Sequence, residues 1–519
     1  MPLPIQSPLS PGGTGGECVV PTPPAALGDW TVEQILVSGG DSRLDIDRLS
    51  GLSRYGCAGH PRDTLPLGSC SASSPSPRGL EAAYQEVAAL RNVDDAYRQV
   101  RSAIADQLLI GPDLGRVVLT PSGTDAELVA LALVFDGGPI TNVIVGPTEV
   151  GSGTVLAAGG RYFDTKLPSG NTAIVGAAVD ETLVAATRVR LVNIRNRANG
   201  ALLRPSSIDG RVTDLVDREV SAGRRVLLHL VEHSKTGLQS PTPSTVERLC
   251  ARHGDRIAVL IDAAQGRVSR SAIADALRRG NLVLITGSKF YGGPPFSGAL
   301  LIPRSFNPPD LLAAGLEQYI SRGCLPEDWE IRDQLNSAPN LGLLARWFAA
   351  LSEMRSYYEI PSGVRLRAMT FWETRVQHHL SASPWVRLLP IRRPETVKTI
   401  CTFQLTAPGR NGDFLNYVEL QHFCHLLNQS GFHVGQPVKL CSGLGETGPC
   451  ALRVALGAQL IGRLMPDGGE TLQDRLEWLD GQLANLRREI DRLAEEEFSR
   501  SDKKTRETEE KTNEQSQRL

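Results

Sequence analysis

Apolar residues between about positions 80 and 330 follow two alternating patterns. Short apolar runs predict buried strands, whereas longer segments with apolar residues three and four positions apart predict helices. The strands predicted in this way are 116–120, 141–145, 189–194, 225–231, 257–262 and 282–286. Helices are predicted at 81–107 and 124–135, and others between later strands supply the crossovers that a parallel sheet requires. The pattern therefore predicts an α/β fold with a large, mainly parallel sheet over residues 80–329.

The pattern changes after residue 330. A long helix is predicted at 330–358, and the strands and helices expected beyond it are 399–405, 414–429, 451–456 and 472–493. Residues 330–494 are therefore expected to form an interdomain helix and a smaller α+β C-terminal domain. Residues 1–28 are rich in Pro, Gly and Ser, and residues 495–519 carry mixed charges with few apolar residues. Both ends are expected to be disordered tails because they have little apolar surface to bury.

The composition excludes several classes of protein. With 55 basic and 57 acidic residues the net charge is −2, so we expect no nucleic-acid and no membrane partner. No apolar run approaches the roughly 20 residues that span a bilayer, and the start of the chain lacks the pattern of a secretory signal. Nine cysteines without paired CxxC spacing predict neither disulfides nor a metal site. A cytoplasmic protein is the default expectation.

Lys289 carries the clearest chemical signal in the chain. It follows the predicted strand 282–286 and lies between a serine and a glycine-containing turn. Burial at such a position lowers the pKa of an amine, and its neutral form is then a nucleophile near pH 7. Such an amine forms an imine with an aldehyde. A lysine at a strand end whose ammonium simply reaches solvent is the alternative.

A carboxylate occupies the corresponding position on the preceding strand. Asp262 ends the apolar run 257–262, and 27 residues separate it from Lys289, which leaves room for a helix and a return strand. Gln265 follows three residues later. Asp262 is suited to hold a heterocyclic nitrogen protonated and Gln265 to donate a hydrogen bond, although a plain turn residue would also fit the position of Asp262.

A third motif joins a predicted strand to a predicted helix. Ser122, Gly123 and Thr124 follow strand 116–120, where the glycine permits the turn. Free backbone amides at the start of a helix bind anions such as phosphate, and the two hydroxyls add donors. Taken alone, the same residues also make an ordinary helix cap.

Four segments together resemble the fold-type-I enzymes that depend on pyridoxal 5′-phosphate (PLP), in particular the class V aminotransferase and cysteine desulfurase group. The resemblance runs from about residue 68 to 460. It rests on segment 228–241, on the Asp-Ala-Ala-Gln sequence at 262–265, on the Thr-Gly-Ser-Lys sequence at 286–289 and on the arginine strand 452–457.

The resemblance implies a PLP-dependent transferase fold and a role for each matching residue. It implies that Lys289 forms a Schiff base with the cofactor and that Asp262 contacts its ring nitrogen. Arg453 would bind the α-carboxylate of an amino-acid substrate through two parallel hydrogen bonds. The residues expected to bind the cofactor are Ser122, Gly123, Thr124, His233, Asp262, Gln265, Thr286, Ser288 and Lys289. Fold-type-I enzymes usually form two-fold dimers, so a homodimer is expected, and residues 29–79 would form an N-terminal gate segment.

Three positions depart from the pattern of the group. Ser288 replaces the histidine expected before the lysine, and His233 and Ser234 replace an asparagine. Glu149 or Val150 stands where the group places an aromatic or histidine ring against the cofactor. The residue that stacks on the cofactor ring is therefore left open, as is the choice between a cofactor-binding and a structural role for His233.

The resemblance favours an aminotransferase-like enzyme acting on an amino acid. The alternative is a PLP-dependent C–S or C–C lyase of the cysteine desulfurase or kynureninase type. A non-catalytic binding protein with this fold is a third possibility, because fold does not fix function. Cys441 lies near the region where desulfurases carry their nucleophile, but its flanking sequence differs, and we expect an ordinary thiol there.

Overall fold

The computed structural model describes residues 30–390, 397–406, 408–409, 413–441 and 448–516, so the expected tail at 1–28 lies outside the described residues. The strands are β1 (Leu65–Leu67), β2 (Gly115–Thr120), β3 (Ile140–Val145), β4 (Thr187–Val192), β5 (Arg225–Val231), β6 (Ile257–Ala263), β7 (Leu282–Thr286), β8 (Gly298–Pro303), β9 (Val386–Leu388), β10 (Ile400–Leu405), β11 (Phe432–Lys439) and β12 (Cys450–Ala455). The helices are α1 (Val32–Leu36), α2 (Pro77–Ala89), α3 (Val93–Leu108), α4 (Gly123–Val134), α5 (Thr154–Ala157), α6 (Glu181–Ala186), α7 (Pro205–Ser221), α8 (Pro243–His253), α9 (Arg270–Arg278), α10 (Leu341–Glu359), α11 (Ser362–Ser381), α12 (Tyr417–Gln429), α13 (Ala458–Arg463) and α14 (Leu472–Ser516).

Seven strands form the large sheet in the order β2-β8-β7-β6-β5-β3-β4. All run parallel except β8, which is antiparallel to both of its neighbours. The central strands are buried along nearly their whole length, as expected for a parallel sheet covered by helices on both faces. The edge strand β4 is largely exposed, and its Arg188 and Arg190 pair with Glu219.

Five strands form a second, smaller sheet in the order β1-β11-β12-β10-β9. Strand β1 comes from the segment before the large domain and pairs in parallel with β11, whereas the other neighbours are antiparallel. The described part of this segment, residues 30–79, therefore joins the C-terminal domain through this strand. The architecture confirms the predicted α/β class, with a large mainly parallel sheet and a smaller α+β domain.

Two helix predictions were wrong in their extent. The single helix predicted at 81–107 is two helices, because Asn92 caps a new helix by accepting a hydrogen bond from the Asp94 amide. The helix predicted at 330–358 begins only at Leu341. Pro339 restricts the residue before it, and Asn340 caps α10 by accepting from the Leu343 amide at 2.9 Å.

The last described helix extends into the segment 495–519, for which a disordered tail was expected. Helix α14 continues through Ser516. Its sequence holds no Pro or Gly after Gly481, and ion pairs three or four residues apart, such as Arg492 with Glu489 and Glu496, support the exposed face. None of the helices in the described ranges combines the length and apolar character needed to cross a membrane.

Candidate active site

One cavity of about 410 Å³ opens at the carboxyl ends of β6 and β7. Parallel strands end at the same edge of a sheet, and ligands of open α/β folds bind outside that edge. The cavity is lined by all ten residues that the sequence proposed for the site: Ser122, Gly123, Thr124, His233, Asp262, Gln265, Thr286, Ser288, Lys289 and Arg453. The structure thus brings together segments that lie up to 331 residues apart in the chain.

Lys289 lies three residues beyond the end of β7, and its amine makes no hydrogen bond or ion pair with the described residues. Burial, opposed by the Asp262 carboxylate and aided by the Arg453 and Arg267 cations, lowers the pKa of this amine to about 8. A substantial neutral fraction is therefore present just above neutral pH. This is the property expected of an amine that attacks an aldehyde.

Asp262 is the last residue but one of β6 and is paired in register with Leu284 of β7. Its Oδ1 accepts a hydrogen bond of 3.0 Å from the Ala264 amide. Burial raises the pKa of Asp262, although Lys289 and the Ala264 amide act in the opposite direction. A buried carboxyl with a raised pKa gains from a cationic partner, so a protonated heterocyclic nitrogen suits this position.

Ser122 caps α4, the helix that starts at the cavity wall. Its Oγ accepts from the amides of Thr124 and Asp125 at 3.2 and 3.4 Å. The apolar, fully buried sequence of α4 holds this end in place. Burial raises the pKa of Asp125 to about 7, which reduces the negative charge beside the helix start. Ser122 already caps these two amides, so what the cavity meets here is the positive end of the α4 dipole, which favours an anion.

Arg43 completes this anion site, and the sequence analysis did not find it. Its Nη2 and Nη1 donate to Ser122 Oγ and Thr124 Oγ1, both at 3.2 Å. Asp41 binds the opposite edge with 2.9 Å between Arg43 Nε and Asp41 Oδ1, and the Phe296 ring lies 4.6 Å from the guanidinium carbon. Burial lowers the pKa of Arg43, but the Asp41 carboxylate outweighs it and raises the pKa above its ordinary value.

The predicted cofactor-binding residues beyond the helix start lie in the same cavity. Gln265 donates to the Cys70 carbonyl at 3.1 Å, and Thr286 donates to the Ala264 carbonyl at 2.6 Å. Ser288 and His233 are buried and line the cavity. Their roles in binding a cofactor remain predictions.

The position left open for ring stacking is occupied by a loop whose acidic side chain is held by protein donors. Glu149 accepts from Arg195 Nε at 2.8 Å and from Ser234 Oγ at 2.6 Å, and Thr236 adds two more donors. The apolar side chain available on this loop is Val150, which is buried and lines the cavity. No ring comes from residues 146–153, because none of them is aromatic or histidine.

Arg453 lies in β12 and is buried at the cavity wall. All five of its N–H donors are directed at protein oxygens. Nε and Nη2 donate to the Gln436 carbonyl at 3.2 and 2.8 Å, and Nη2 also donates to Ser71 Oγ at 2.8 Å. Nη1 donates to the carbonyls of Cys70 and Lys235, both at 3.2 Å. The guanidinium thus joins three segments of backbone while its charge stays beside the cavity.

Lys235 is a second lysine in the cavity, and the sequence analysis gave it no role. Lys235 lies in the segment that follows the buried strand β5. The same sequence pattern, a lysine shortly after a buried strand, had identified Lys289 and could have identified Lys235. Burial lowers the pKa of its amine to about 8, and the Arg453 and Lys289 cations add to the effect while Glu149 and Asp262 oppose it.

Cys441 does not line the cavity. Its thiol donates to the Asn196 carbonyl at 3.1 Å, and burial raises its pKa, which disfavours the thiolate. The cavity is instead lined by Cys70. This arrangement fits the expected ordinary thiol at Cys441, although residues 442–447 lie outside the described residues.

Neither protein-family models nor curated protein sequences match this chain. Solved structures do resemble it. A NifS-like protein aligns with a TM-score of 0.50 at 14% identity, over 81% of this chain and 99% of that one. The cysteine desulfurase CsdA from Escherichia coli gives a TM-score of 0.49 at 14% identity, over 83% and 96%. An aspartate aminotransferase from Thermus thermophilus gives 0.47 at 16% identity, over 82% and 99%. The first of these likenesses shows a shared fold, in line with the PLP-dependent transferase fold expected from the sequence, and leaves the activity undetermined.

Proposed function

We propose that this protein is a PLP-dependent enzyme that acts on an amino acid through Lys289. The observation that supports this most directly is the unpaired amine of Lys289, with its lowered pKa, in one cavity with Asp262 and an anion-binding helix start. Each of the three is matched to a different part of the cofactor: the aldehyde, the ring nitrogen and the phosphate.

The cavity residues fit the cofactor in charge as well as in position. The phosphate would lie at the start of α4 beside Ser122, Thr124 and Arg43, where the positive end of the helix and a guanidinium meet. Asp262 would hold the ring nitrogen protonated, and Gln265 is positioned to donate to the ring. When bound, PLP supplies an electron sink for the pair released from a bond to the substrate α-carbon.

Lys289 performs two tasks in this proposal. Its neutral amine would hold the cofactor at its aldehyde in the resting enzyme and would be freed into the cavity when a substrate amine replaces it. The displaced Nζ remains in the cavity, where its lowered pKa lets it carry a proton to or from the substrate near neutral pH. The substrate carboxylate would lie in the corner of the cavity at Arg453, whose charge is not neutralised by an acidic side chain.

We place transamination first and a C–S or C–C lyase second. Transamination needs a lysine that moves protons and no further nucleophile, which Lys289 satisfies. The position of the Cys70 thiol at the cavity favours the lyase alternative, since a cysteine desulfurase requires a thiol within reach of the substrate sulfur. Cys441, with its raised pKa and its place outside the cavity, does not support it.

The oligomeric state and the cellular compartment inferred from the sequence remain expectations. We expect a two-fold dimer, with removal of residues 1–28 and 495–519 leaving the dimer intact, and we expect a cytoplasmic protein. Sedimentation of the purified protein at several concentrations measures the first expectation. An active species that sediments as a monomer at all concentrations would contradict it.

The decisive experiment is reductive trapping. The purified protein should absorb in the visible when loaded with PLP, and borohydride should fix the cofactor on the peptide that carries Lys289. Lys289→Gln should still bind PLP but release it after borohydride and denaturation, whereas Lys235→Met should trap it as the parent protein does. Trapping at Lys235, or no uptake of PLP, would refute the proposal.

The reaction type is then found by product analysis. The loaded protein is incubated with each of the twenty amino acids, and keto acid, sulfide and ammonia are measured separately. Keto acid with conversion of the cofactor to its amine form supports transamination. Sulfide, or alanine formed from a larger amino acid, supports the lyase alternative.

A further inference from the structure

We propose that Lys235 provides the hydrogen bonds to the α-carboxylate of the substrate, and that Arg453 positions Lys235 rather than binding the carboxylate itself. This inference rests on the proposed function, since it names the group that recognises the substrate in the same cavity. It departs from the role that the sequence resemblance implies for Arg453.

The first argument is the saturation of Arg453. A guanidinium binds a carboxylate through two N–H groups along one edge. The edge formed by Nε and Nη2 is directed at the Gln436 carbonyl. The donors on Nη1 are directed at the carbonyls of Cys70 and Lys235, and the remaining Nη2 donor at Ser71 Oγ. A carboxylate would have to displace buried backbone carbonyls, and each displaced carbonyl would lose its partner.

The second argument is the position of Lys235. Its backbone N–H donates to the Glu149 carbonyl at 2.9 Å, and its own carbonyl accepts from Arg453. The Lys235 backbone is therefore fixed on both sides, while its amine makes no hydrogen bond or ion pair with the described residues. An ammonium offers three donors. In this corner Lys235 has free donors where Arg453 has none.

The third argument is the charge of the corner. The nearby carboxylate of Glu149 is already bound by Arg195, Ser234 and Thr236, and Asp262 is reserved for the ring nitrogen in the proposed function. The positive charge of Lys235 and Arg453 is then left without a protein anion. A carboxylate placed against Lys235 neutralises this charge, whereas an uncharged group leaves two cations close together.

The test compares amino acids with the amines that lack only the α-carboxylate. The probes are L-alanine against ethylamine, L-aspartate against β-alanine and L-cysteine against cysteamine. Their dissociation constants for the PLP-loaded protein are read from the change in visible absorbance, which does not depend on turnover. The variants are Lys235→Met, Lys235→Arg and Arg453→Lys, with Lys398→Met as the matched control. Lys398 pairs with Glu373 and is not a cavity residue.

We expect the parent protein to prefer at least one acid over its amine. Lys235→Met should weaken binding of that acid by roughly 10- to 150-fold, the loss expected when one charge-assisted hydrogen-bonding group is removed. The dissociation constant of the matching amine should not change. Lys235→Arg should retain most of the preference, and Lys398→Met all of it. Because the Lys235 side chain has no protein partner to lose, its replacement by Met should leave the circular dichroism and the bound PLP unchanged.

Three results would overturn the assignment. The first is an unchanged preference for the acid in Lys235→Met, and the second is a loss of turnover in that variant without a loss of acid binding, which would make Lys235 a proton carrier. The third is full loss of the preference in Arg453→Lys with Lys235→Met unaffected. If the parent protein takes up no PLP, the proposed function fails first and this assignment fails with it.

Discussion

The buried carboxylate of Glu149 pairs with the Arg195 guanidinium, with 2.8 Å between Arg195 Nε and Glu149 Oε1. Arg195 also donates to the Gly200 carbonyl and to Thr236 Oγ1, so the pair joins the 146–153 loop to the segment after β5. Both segments line the candidate site. The pair therefore holds the cavity wall that carries Val150 on one side and Lys235 on the other.

Arg195→Met should destabilise the protein by about 3–5 kcal/mol, because it leaves the Glu149 charge buried without its cation. The matched control is Arg278→Met, which removes a guanidinium from an exposed pair with Asp275 and should cost less than about 1 kcal/mol. Urea unfolding at pH 7 measures both. Equal effects of the two substitutions would show that the Glu149 pair does not support the fold.

The same pair predicts that the free energy of unfolding falls at acid pH. Burial raises the pKa of Glu149, but Arg195 and the Ser234 and Thr236 donors outweigh it and hold the pKa below its ordinary value of 4.5. A carboxyl with a lowered folded pKa contributes stability that is present above its unfolded pKa and is lost as the pH falls through the folded one. Unfolding measured from pH 7 to pH 3 should show this loss in the parent protein and a smaller loss in Arg195→Met.

Arg43→Met should weaken binding of PLP by roughly 10- to 150-fold, since a charge-assisted contact to phosphate contributes about 1.5–3 kcal/mol. Pyridoxal, which lacks the phosphate, is the matched ligand and should bind both proteins alike. Equilibrium dialysis of the apoprotein measures the two constants. A parallel loss for pyridoxal would indicate that Arg43 supports the cavity rather than the phosphate.

Binding of the substrate carboxylate should weaken as the pH rises through about 8. The charged groups that surround the Lys235 amine are Arg453, Lys289, Glu149 and Asp262, and burial with the two cations lowers its pKa to about 8. Below that pH the ammonium is present, and above it the donor charge is lost. In the loaded protein the proposed function has Lys289 bonded to the cofactor, which leaves Lys235 as the free lysine of the two, so Lys235→Arg should flatten the profile between pH 7 and 10. An unchanged profile in that variant would assign the titration to another group.

Arg453→Ala should lower kcat/KM by roughly 30- to 4,000-fold, or on the order of 2–5 kcal/mol, because the corner loses both charge and shape. It should also destabilise the fold, since the carbonyls of Cys70, Lys235 and Gln436 lose a donor. Arg453→Lys should restore only part of either loss, because one ammonium cannot reach every acceptor. If Arg453→Ala retained full activity and stability, Arg453 would support neither substrate binding nor the fold.

Cys441→Ala should retain most of the activity, because the Cys441 thiol is directed at a backbone carbonyl outside the cavity. Cys70→Ala is the informative companion, since Cys70 lines the cavity. If the protein is a desulfurase whose nucleophile is Cys70, that variant should lose sulfide production while still binding cysteine. A loss of several orders of magnitude in Cys441→Ala instead would show that this thiol takes part in the reaction.

The sequence determined the parts of the site that local pattern encodes. Asp262 and Lys289 follow apolar runs that form strands, and parallel strands end at one edge, so the positions of both were predictable from hydrophobic spacing and chain length between them. Ser122 caps its own helix through contacts two and three residues away. Boundaries that depend on a single capping side chain, such as Asn92 or Asn340, were missed where the surrounding helical pattern continued past them.

Only the tertiary structure decided which side chains are free and which are already bound. Arg43 reaches Ser122 across 79 positions of the chain, and Arg453 reaches Cys70 across 383. No local pattern specifies such contacts, because they depend on how separate segments pack. The sequence could therefore name Arg453 as a cation at the site. Only the fold shows that the Arg453 donors are directed at protein acceptors, whereas the Lys235 amine is not. The physical reason is that a hydrogen-bond donor is available to a ligand only where packing leaves it without a protein acceptor.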